Sequence, residues 1–378
     1  AARAARLAAL RDFAIKGPEG RVCELIDIGI NVQSRFKRDE IRDMFERAVA
    51  AGVTRVILTG CALKSSREGL ELCRAWYASP AAASDTASDG AGPARGSQEA
   101  ATAGSSPGDP SFRASRFPVG GAASIPLRVY ATVGVHPHDA KTIADDHGVN
   151  PARLAELRAL ADDPHCVSLG ECGLDYDRMF SPMATQQHAF EAQVALAVEL
   201  GRPLFVHLRE RDADKGEPLG AVEHAAAIFS RHPALDPAKV CVHCFTGDSA
   251  DLERLRKLGL AIGLTGYVGM AKRAADTGTL AALQPEDALP LPALMLETDS
   301  PFMRPDKPLL PQETGLRSGR HNEPAAMPAV CRAAAQALAG GVHPAHEVAR
   351  ATTANALAFF GLDAADARAA AAAGPARA

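Results

Sequence analysis

The feature that most constrains the fold is a regular alternation of short β-branched runs with longer helical patterns along the 378 residues. Eight runs are candidate strands, at residues 25–28, 55–58, 129–133, 166–169, 204–206, 240–242, 260–263 and 294–296. Amphipathic stretches such as residues 39–51 lie between them. Repeated βα units form either a closed (β/α)8 barrel of the TIM type or a doubly wound open sheet. Eight strands with intervening helices favour a single closed α/β barrel.

Composition places the chain among globular proteins with a sizeable core, since 47% of its residues are hydrophobic and 23% are charged. The formal net charge is −4, so no overall positive field draws the molecule to nucleic acid or to an anionic membrane. No apolar run approaches the roughly 20 residues of a membrane span, which predicts a soluble protein without a membrane partner. We expect a cytoplasmic location, with nuclear and organellar locations as alternatives.

The cysteines favour reduced thiols in an intracellular protein, because all eight are scattered along a long chain. Cys241 and Cys244 form one Cys-x-x-Cys pair, and no second pair of similar spacing accompanies it. The segment is also predicted to end a strand. Buried thiols are therefore favoured over a zinc ribbon or a redox pair.

Three segments are predicted to stand apart from the barrel of residues 23–362. Residues 1–22 form an N-terminal extension, which is either the remnant of an organellar transit peptide or the ragged start of a truncated gene product. Residues 79–125 are rich in Ala, Ser, Gly, Pro and Asp, so we expect a disordered low-complexity insertion. Residues 363–378 form an Ala-rich tail, predicted as a frayed helix or disorder.

Ligand-type side chains follow one predicted strand after another. Glu171, His207, His243 and Asp299 come after the fourth, fifth, sixth and eighth strands, where a barrel places its active site. A single histidine at a strand end is more often structural, and an aspartate before Ser-Pro often shapes a turn. Four such residues at one end of the barrel instead indicate a divalent cation site with mixed nitrogen and oxygen ligands. Such a cation activates water for hydrolysis.

Five sequence blocks now identify a resemblance. They are Asp-Ile-Gly-Ile-Asn at 27–31, Gly-Val-His-Pro-His at 134–138, Gly-Glu-Cys-Gly-Leu-Asp at 170–175, His-Cys-Phe-Thr-Gly at 243–247 and Glu-Thr-Asp-Ser-Pro at 297–301. In this order they resemble the successive signatures of the TatD family of deoxyribonucleases, part of the metal-dependent hydrolase superfamily. The resemblance extends from residue 25 to residue 362, interrupted by the predicted insertion.

The resemblance implies a divalent-cation-dependent deoxyribonuclease, often a 3′–5′ exonuclease, with Mg favoured over Mn and Zn as the ion. It implies that Glu171, His207, His243 and Asp299 are metal ligands and that Asp299 doubles as the general base toward water. His136 would then be a catalytic residue that either contacts the scissile phosphate or assists the leaving oxygen.

Substrate contacts are expected around this centre. His138, Arg178 and Arg209 lie beside the ligand motifs and are candidates to bind substrate. The two arginines would bind its phosphates, with solvated surface charge as the alternative. Many superfamily members carry His-x-His after the first strand, where this chain has Gly29 and Asn31, so a second metal is left open. Asn31 either binds substrate or shapes a turn.

Three functions compete at this point. The leading hypothesis is a DNA-hydrolysing enzyme, with RNA as a further substrate, acting as a monomer or weak oligomer. The second keeps the barrel and metal but hydrolyses a small ester, amide or aminoacyl ester, since fold does not fix function. The third is a scaffold without activity, suggested by the missing His-x-His pair and the long insertion.

Overall fold

One sheet of eight parallel strands organises the protein, and every strand neighbours the next one along the chain. The computed structural model describes residues 2–77, 126–285 and 287–372, so the predicted insertion at 79–125 lies outside the described residues. The strands are β1 (Leu25–Ile30), β2 (Val53–Leu58), β3 (Arg128–Val133), β4 (Cys166–Asp175), β5 (Leu204–Arg209), β6 (Val240–Val242), β7 (Ala261–Leu264) and β8 (Leu294–Leu296).

The sheet closes on itself between β8 and β1, and this seam distinguishes a barrel from an open sheet. Ile30 and Ser300 form a parallel bridge just beyond β8. The N–H of Asn31 donates to the carbonyl of Ser300 at 2.6 Å, and the N–H of Asp299 donates to the carbonyl of Gly29 at 3.0 Å. The predicted (β/α)8 barrel is therefore confirmed.

Helices pack around the barrel, and most of them connect successive strands. They are α1 (Ala2–Phe13), α2 (Arg38–Ala50), α3 (Leu63–Tyr77), α4 (Pro151–Ala161), α5 (Met183–Leu200), α6 (Ala221–Ser230), α7 (Ser249–Lys257), α8 (Ala271–Asp276), α9 (Thr279–Leu283), α10 (Met327–Ala337), α11 (Ala345–Phe360) and α12 (Leu362–Ala372). The amphipathic helix predicted at 39–51 corresponds to α2, which buries Ile41, Met44 and Phe45. Its spacing of apolar residues places these side chains on one face.

Apolar side chains form two main buried layers. The larger lies between the strands and the helices and includes Leu25, Phe45 and Phe190. The smaller takes residues from several strands, among them Ile28 of β1 and Phe205 of β5. Because neighbouring residues on a strand point to opposite faces, this second layer fills the interior of the barrel. A filled interior leaves room for a site only at the carboxyl ends of the strands.

Helix α12 lies largely within the segment 363–378 that the sequence analysis described as a tail. Leu362 and Ala365 are buried and join the interior layer of the barrel. The hydroxyl of Tyr130 on β3 donates to Oδ1 of Asp366 at 2.5 Å. The helix therefore packs against the barrel through both apolar and polar contacts.

Helix α1 lies within the segment 1–22 that the sequence analysis set apart as an extension. Leu10 and Phe13 are buried in a small cluster with residues that follow α2 and β8. The guanidinium of Arg332 on α10 donates to the carbonyl of Phe13 at 2.7 Å. These contacts join α1 to the body of the protein. Within the described part of the chain, no helix has both the length and the apolar composition needed to cross a bilayer.

Candidate metal centre

The carboxylate of Glu171 on β4 is the centre of the candidate site. Its Oε1 atom lies 2.7 Å from Nε2 of His243, 3.1 Å from Nδ1 of His207 and 3.2 Å from Nε2 of His136. His136, Glu171 and His207 each offer a ligand-type atom within 4.8 Å of the others. These residues come from the carboxyl ends of β3 to β6, the end of a barrel that carries active sites.

Two of these side chains lie within strands and not beyond them. The fourth strand was predicted to end at residue 169, before Glu171, whereas β4 continues to Asp175. Strand β5 likewise includes His207 and ends at Arg209. The two strands stay paired as far as Asp175 and Arg209, so the predicted strand ends were several residues too early. This pairing outweighs the low strand propensity of the polar residues, and it fixes Glu171 and His207 on rigid backbone.

Sharp backbone turns follow the two shorter strands of the site. His243 comes directly after β6, and the next residue, Cys244, has a φ of 48°. Asp299 lies three residues beyond β8 and has a φ of 50°. Non-glycine residues in this left-handed region cost roughly 1–3 kcal/mol each and cluster at functional sites. The surrounding hydrogen bonds hold both turns in place.

Asp299 is connected to Glu171 through two intervening side chains. Nδ2 of Asn31 donates to Oδ1 of Asp299 at 2.9 Å. The Cys61 thiol lies 3.3 Å from Oδ1 of Asn31 and 3.3 Å from Oε2 of Glu171. Burial and the nearby Glu171 carboxylate raise the pKa of the Cys61 thiol well above its usual range, so this thiol is a neutral donor. Asn31, predicted to bind substrate or to shape a turn, thus orients Asp299 within the site.

The buried carboxylates of Asp299 and Glu171 have pKa values that are shifted in opposite directions. Burial raises the pKa of Asp299 well above its usual range, and Glu297 and Glu171 add to that effect. Burial acts on Glu171 in the same direction, but the imidazoles of His243 and His136 outweigh it and hold the pKa of Glu171 well below its usual range. So many carboxylates in a buried cluster favour the binding of a cation.

His136 differs from the other histidines in the tautomer that its contacts require. Its Nδ1 accepts the backbone N–H of His138 at 3.1 Å. A backbone N–H can only donate, so the proton of the neutral ring lies on Nε2, which faces Glu171. Burial lowers the pKa of His136 to about 4 although Glu171 opposes this effect. His136 is therefore a neutral hydrogen-bond donor near pH 7 and is not arranged as a metal ligand.

Two further carboxylates face the outer nitrogens of the central histidines, and the sequence analysis did not assign a role to either. Oδ2 of Asp175 lies 3.4 Å from Nε2 of His207 and 2.8 Å from Nε2 of His138. Oε1 of Glu297 lies 3.4 Å from Nδ1 of His243. Asp175 lies four residues after Glu171 on β4, and the period of two along a strand was the signal that could have identified it. Glu297 carries no such signal, since it and Asp299 lie beyond β8.

The predicted substrate contacts divide into paired and exposed residues. Arg209 lies 2.9 Å from Oδ2 of Asp177 and 3.1 Å from Oδ2 of Asp212, so its charge is compensated. The side chain of Arg178 is exposed, two residues before Phe180. Phe180 is 60% exposed and packs edge to face on His138, with 4.7 Å between the ring centroids. Phe180 and His138 therefore lie side by side near the barrel mouth, and Arg178 is exposed in the same loop as Phe180.

The residues at the centre fit a divalent cation. One carboxylate oxygen, from Glu171, and two imidazole nitrogens, from His207 and His243, converge as a mixed oxygen and nitrogen donor set. The remaining nitrogens of these two rings are buried, have no hydrogen-bond partner among the described residues and lie toward carboxylates. Metal-binding histidines commonly direct their second nitrogen at a carboxylate in this way.

Comparison with known proteins agrees with this architecture. Residues 119–361 match the family described as TatD related DNase. The chain is 32% identical to the 3′-5′ ssDNA/RNA exonuclease TatD of Musicola paradisiaca, over 82% of this chain and 88% of that protein. It is also 32% identical to the protein of the same name from Edwardsiella piscicida, over 82% of this chain and 91% of the relative. The chain belongs to the TatD family.

Solved structures of TatD proteins share the fold. A TatD family hydrolase from Entamoeba histolytica has a TM-score of 0.61 and 17% identity, and the match covers 89% of this chain and 98% of that one. A TatD homologue from Escherichia coli K12 has a TM-score of 0.59 and 22% identity, covering 90% of this chain and 98% of that one. The family match and the relatives of 32% identity confirm the predicted resemblance to the TatD family, and these structures agree with the fold.

Proposed function

We propose that this TatD protein is a divalent-cation-dependent exonuclease that hydrolyses single-stranded DNA from its 3′ end and also accepts RNA. The relatives from Musicola paradisiaca and Edwardsiella piscicida are named for this activity. The observation that carries the proposal is the contact of Oε1 of Glu171 with the imidazole nitrogens of His207 and His243, at 3.1 and 2.7 Å. Two imidazoles around one carboxylate at a barrel mouth are suited to metal-assisted hydrolysis.

The cation would be held by Glu171, His207 and His243, with Asp299 close to it. When bound there, a divalent cation lowers the pKa of a water molecule and stabilises negative charge on a phosphoryl oxygen. Imidazole nitrogens suit Zn, whereas carboxylate oxygens suit Mg and Mn, so this mixed set lies between the two preferences. We infer that Mn²⁺ suits this mixed set best, and Mg²⁺, which the sequence analysis favoured, and Zn²⁺ are its competitors in the test.

The protein's own side chains handle the protons and orient the phosphate. Oδ1 of Asp299 is held by Nδ2 of Asn31. This contact leaves Oδ2 of Asp299 to take a proton from the attacking water. The Nε2–H of His136 donates to a phosphoryl oxygen, where negative charge grows as the bond to the leaving oxygen breaks. The neutral state of His136 near pH 7 suits it to donate a hydrogen bond without transferring its proton.

The exposed side chains at the mouth favour a single strand. Phe180 offers an exposed ring beside His138, and a base with a free face can stack on such a ring. Arg178 is exposed in the same loop and can meet a backbone phosphate. Bases in a duplex are already stacked on each other, so this surface discriminates against blunt duplex ends.

The proposal is tested with oligonucleotides that carry a label at either the 5′ or the 3′ end. With Mn²⁺, Mg²⁺ or Zn²⁺ present, we expect immediate release of the 3′ label as a mononucleotide and progressive shortening of the 5′-labelled strand. Immediate release of the 5′ label would contradict the direction. Hydrolysis of small esters, amides or aminoacyl esters, with no cleavage of DNA or RNA, would favour the alternative small-substrate hydrolase.

A further inference from the structure

Glu297 is a fully buried carboxylate directly after β8, and the catalytic steps proposed above do not use it. Its Oε1 accepts the backbone N–H of Cys244 at 2.6 Å and lies 3.4 Å from Nδ1 of His243. Its Oε2 has no hydrogen-bond partner among the described residues. A buried carboxylate with a free oxygen is costly to maintain, so a structural bond to Cys244 alone does not account for it.

The barrel interior is shaped around this carboxylate. A Cβ atom at Gly29 on β1 would lie 2.2 Å from Oε2 of Glu297, and one at Gly263 on β7 would lie 2.9 Å from Oε1. A side chain at Gly29 would therefore occupy the space of the carboxylate. Glycines on β1 and β7, the two strands that flank β8, therefore leave space for the Glu297 carboxylate.

The other side of His243 is closed. The ring of Phe205 packs against the imidazole, with 4.5 Å between the ring centroids and 31° between the planes. Nε2 of His243 lies 2.7 Å from Oε1 of Glu171, on the side of the candidate metal. Nδ1 is buried without a hydrogen-bond partner among the described residues. The ring is thus confined between Phe205, Glu171 and Glu297.

We propose that Glu297 is the positioning residue of His243, which accepts the Nδ1–H and thereby presents the lone pair of Nε2 to the metal. Nδ1 of His243 and Oε2 of Glu297 each lack a hydrogen-bond partner in the described part of the chain, and Nδ1 of His243 lies 3.4 Å from Oε1 of Glu297. Oε1 is thus the carboxylate oxygen placed to accept the Nδ1–H. Asp175 has the same relationship to His207, at 3.4 Å, so each central histidine faces its own outer carboxylate.

This inference rests on the proposed metal centre but not on the identity of the substrate. The experiment measures binding of Mn²⁺ and Zn²⁺ by calorimetry to the wild-type protein, to Glu297→Gln and to Glu191→Gln. Glu191 lies on α5 and pairs with Arg231 at the surface, so its substitution controls for the change from carboxylate to amide. Thermal melting without metal is recorded for each variant.

We expect Glu297→Gln to bind the cation about 10- to 100-fold more weakly than the wild type. We expect Glu191→Gln to bind normally. In a His243→Asn background the substitution of Glu297 should have no further effect, because Glu297 acts through that ring. A purely structural role would instead lower the melting temperature of the metal-free protein and weaken binding equally in both backgrounds.

A second measurement needs no variant. Nitrogen NMR of histidine-labelled, metal-loaded wild-type protein reports which ring nitrogen of His243 carries the proton, and we expect Nδ1–H. Observation of Nε2–H, or unchanged metal affinity in Glu297→Gln, would overturn the inference. Absence of metal binding by the wild type would instead contradict the metal centre itself, so the two failures are distinguishable.

Discussion

Nδ1 of His136 accepts the backbone N–H of His138, and this contact leaves the proton of the ring on Nε2. His136 therefore serves as a donor to the substrate in our account, although its Nε2 lies only 3.2 Å from Oε1 of Glu171. We predict that His136→Ala lowers kcat by about 10²- to 10³-fold, since one donor to the developing charge is lost. Metal affinity should change by less than about 3-fold, because the ring supplies no lone pair to the cation.

The variant His136→Gln distinguishes a hydrogen-bond donor to the substrate from a metal ligand at this position. Glutamine offers an amide N–H at a similar reach, so His136→Gln should recover part of the lost kcat. Steady-state kinetics and calorimetric titration with Mn²⁺ measure both quantities. A large loss of metal affinity in His136→Ala would identify this residue as a ligand and contradict the donor role.

The exposed ring of Phe180 is predicted to stack on a base of the substrate. Removal of one base–aromatic stack costs about 1–3 kcal/mol, so Phe180→Ala should weaken binding of a single-stranded oligonucleotide roughly 5- to 150-fold. The effect should appear in KM and in equilibrium binding. It should be similar for oligonucleotides of different sequence, since every base has a face that can stack.

Val342, which is 62% exposed between α10 and α11, provides a control for the loss of an exposed apolar side chain. Val342→Ala should leave oligonucleotide binding unchanged. Fluorescence anisotropy with a 3′-phosphorothioate oligonucleotide measures binding without cleavage. Equal affinity in Phe180→Ala and the wild type would remove Phe180 from the substrate path.

An ion pair away from the site, between the largely buried Asp163 carboxylate and the exposed Arg74, makes the free energy of unfolding depend on pH. Burial acts to raise the pKa of Asp163, but hydrogen bonds from His165 and Arg74 outweigh it and lower the pKa to about 2. In the unfolded chain the pKa is about 3.9, so the ionised carboxylate stabilises the fold above pH ~4. That stabilisation is lost as the pH falls from about 4 to 2. We expect Asp163→Asn to cost about 1–2 kcal/mol at pH 7, allowing for screening at the exposed Arg74.

Asp162 is the matched control, because it is adjacent in sequence and forms a surface pair with Arg158 at 3.1 Å. Asp162→Asn should change stability by less than about 0.5 kcal/mol. Urea unfolding of the wild type and both variants between pH 7 and pH 3 measures the differences. A deficit in Asp163→Asn that stays constant down to pH 3 would show that the carboxylate charge is not its source.

Much of the barrel was predictable because each strand is a local pattern. Short β-branched runs predicted all eight strands, and the spacing of Ile41, Met44 and Phe45 predicted α2. Glu171, His207 and His243 were also assembled correctly in one place, since parallel strands end at one edge. The assignment of these three residues as metal ligands stays a prediction until binding is measured.

The features of the fold and the site that were not predicted depend on contacts between distant parts of the chain. No local signal shows that Asp366 meets Tyr130, 236 residues away, or that an Ala-rich segment packs there as α12. Glu297 lies two residues before the expected ligand Asp299, but its depth in the barrel depends on Gly29, far away in sequence. Pairing of β4 with β5 extended both strands beyond the residues that their own propensities favoured.

The central claim is that a cation held at Glu171, together with Asp299 as the base, hydrolyses a nucleic acid strand. The most direct test is release of nucleotides from a labelled single-stranded oligonucleotide by the wild type and by Asp299→Asn, with Mn²⁺, Mg²⁺ or Zn²⁺ and with chelator. We predict metal-dependent release by the wild type, no release with chelator, and a loss of about 10²- to 10⁴-fold in Asp299→Asn at an unchanged melting temperature. Full activity in Asp299→Asn, or release that persists in chelator, would contradict the account.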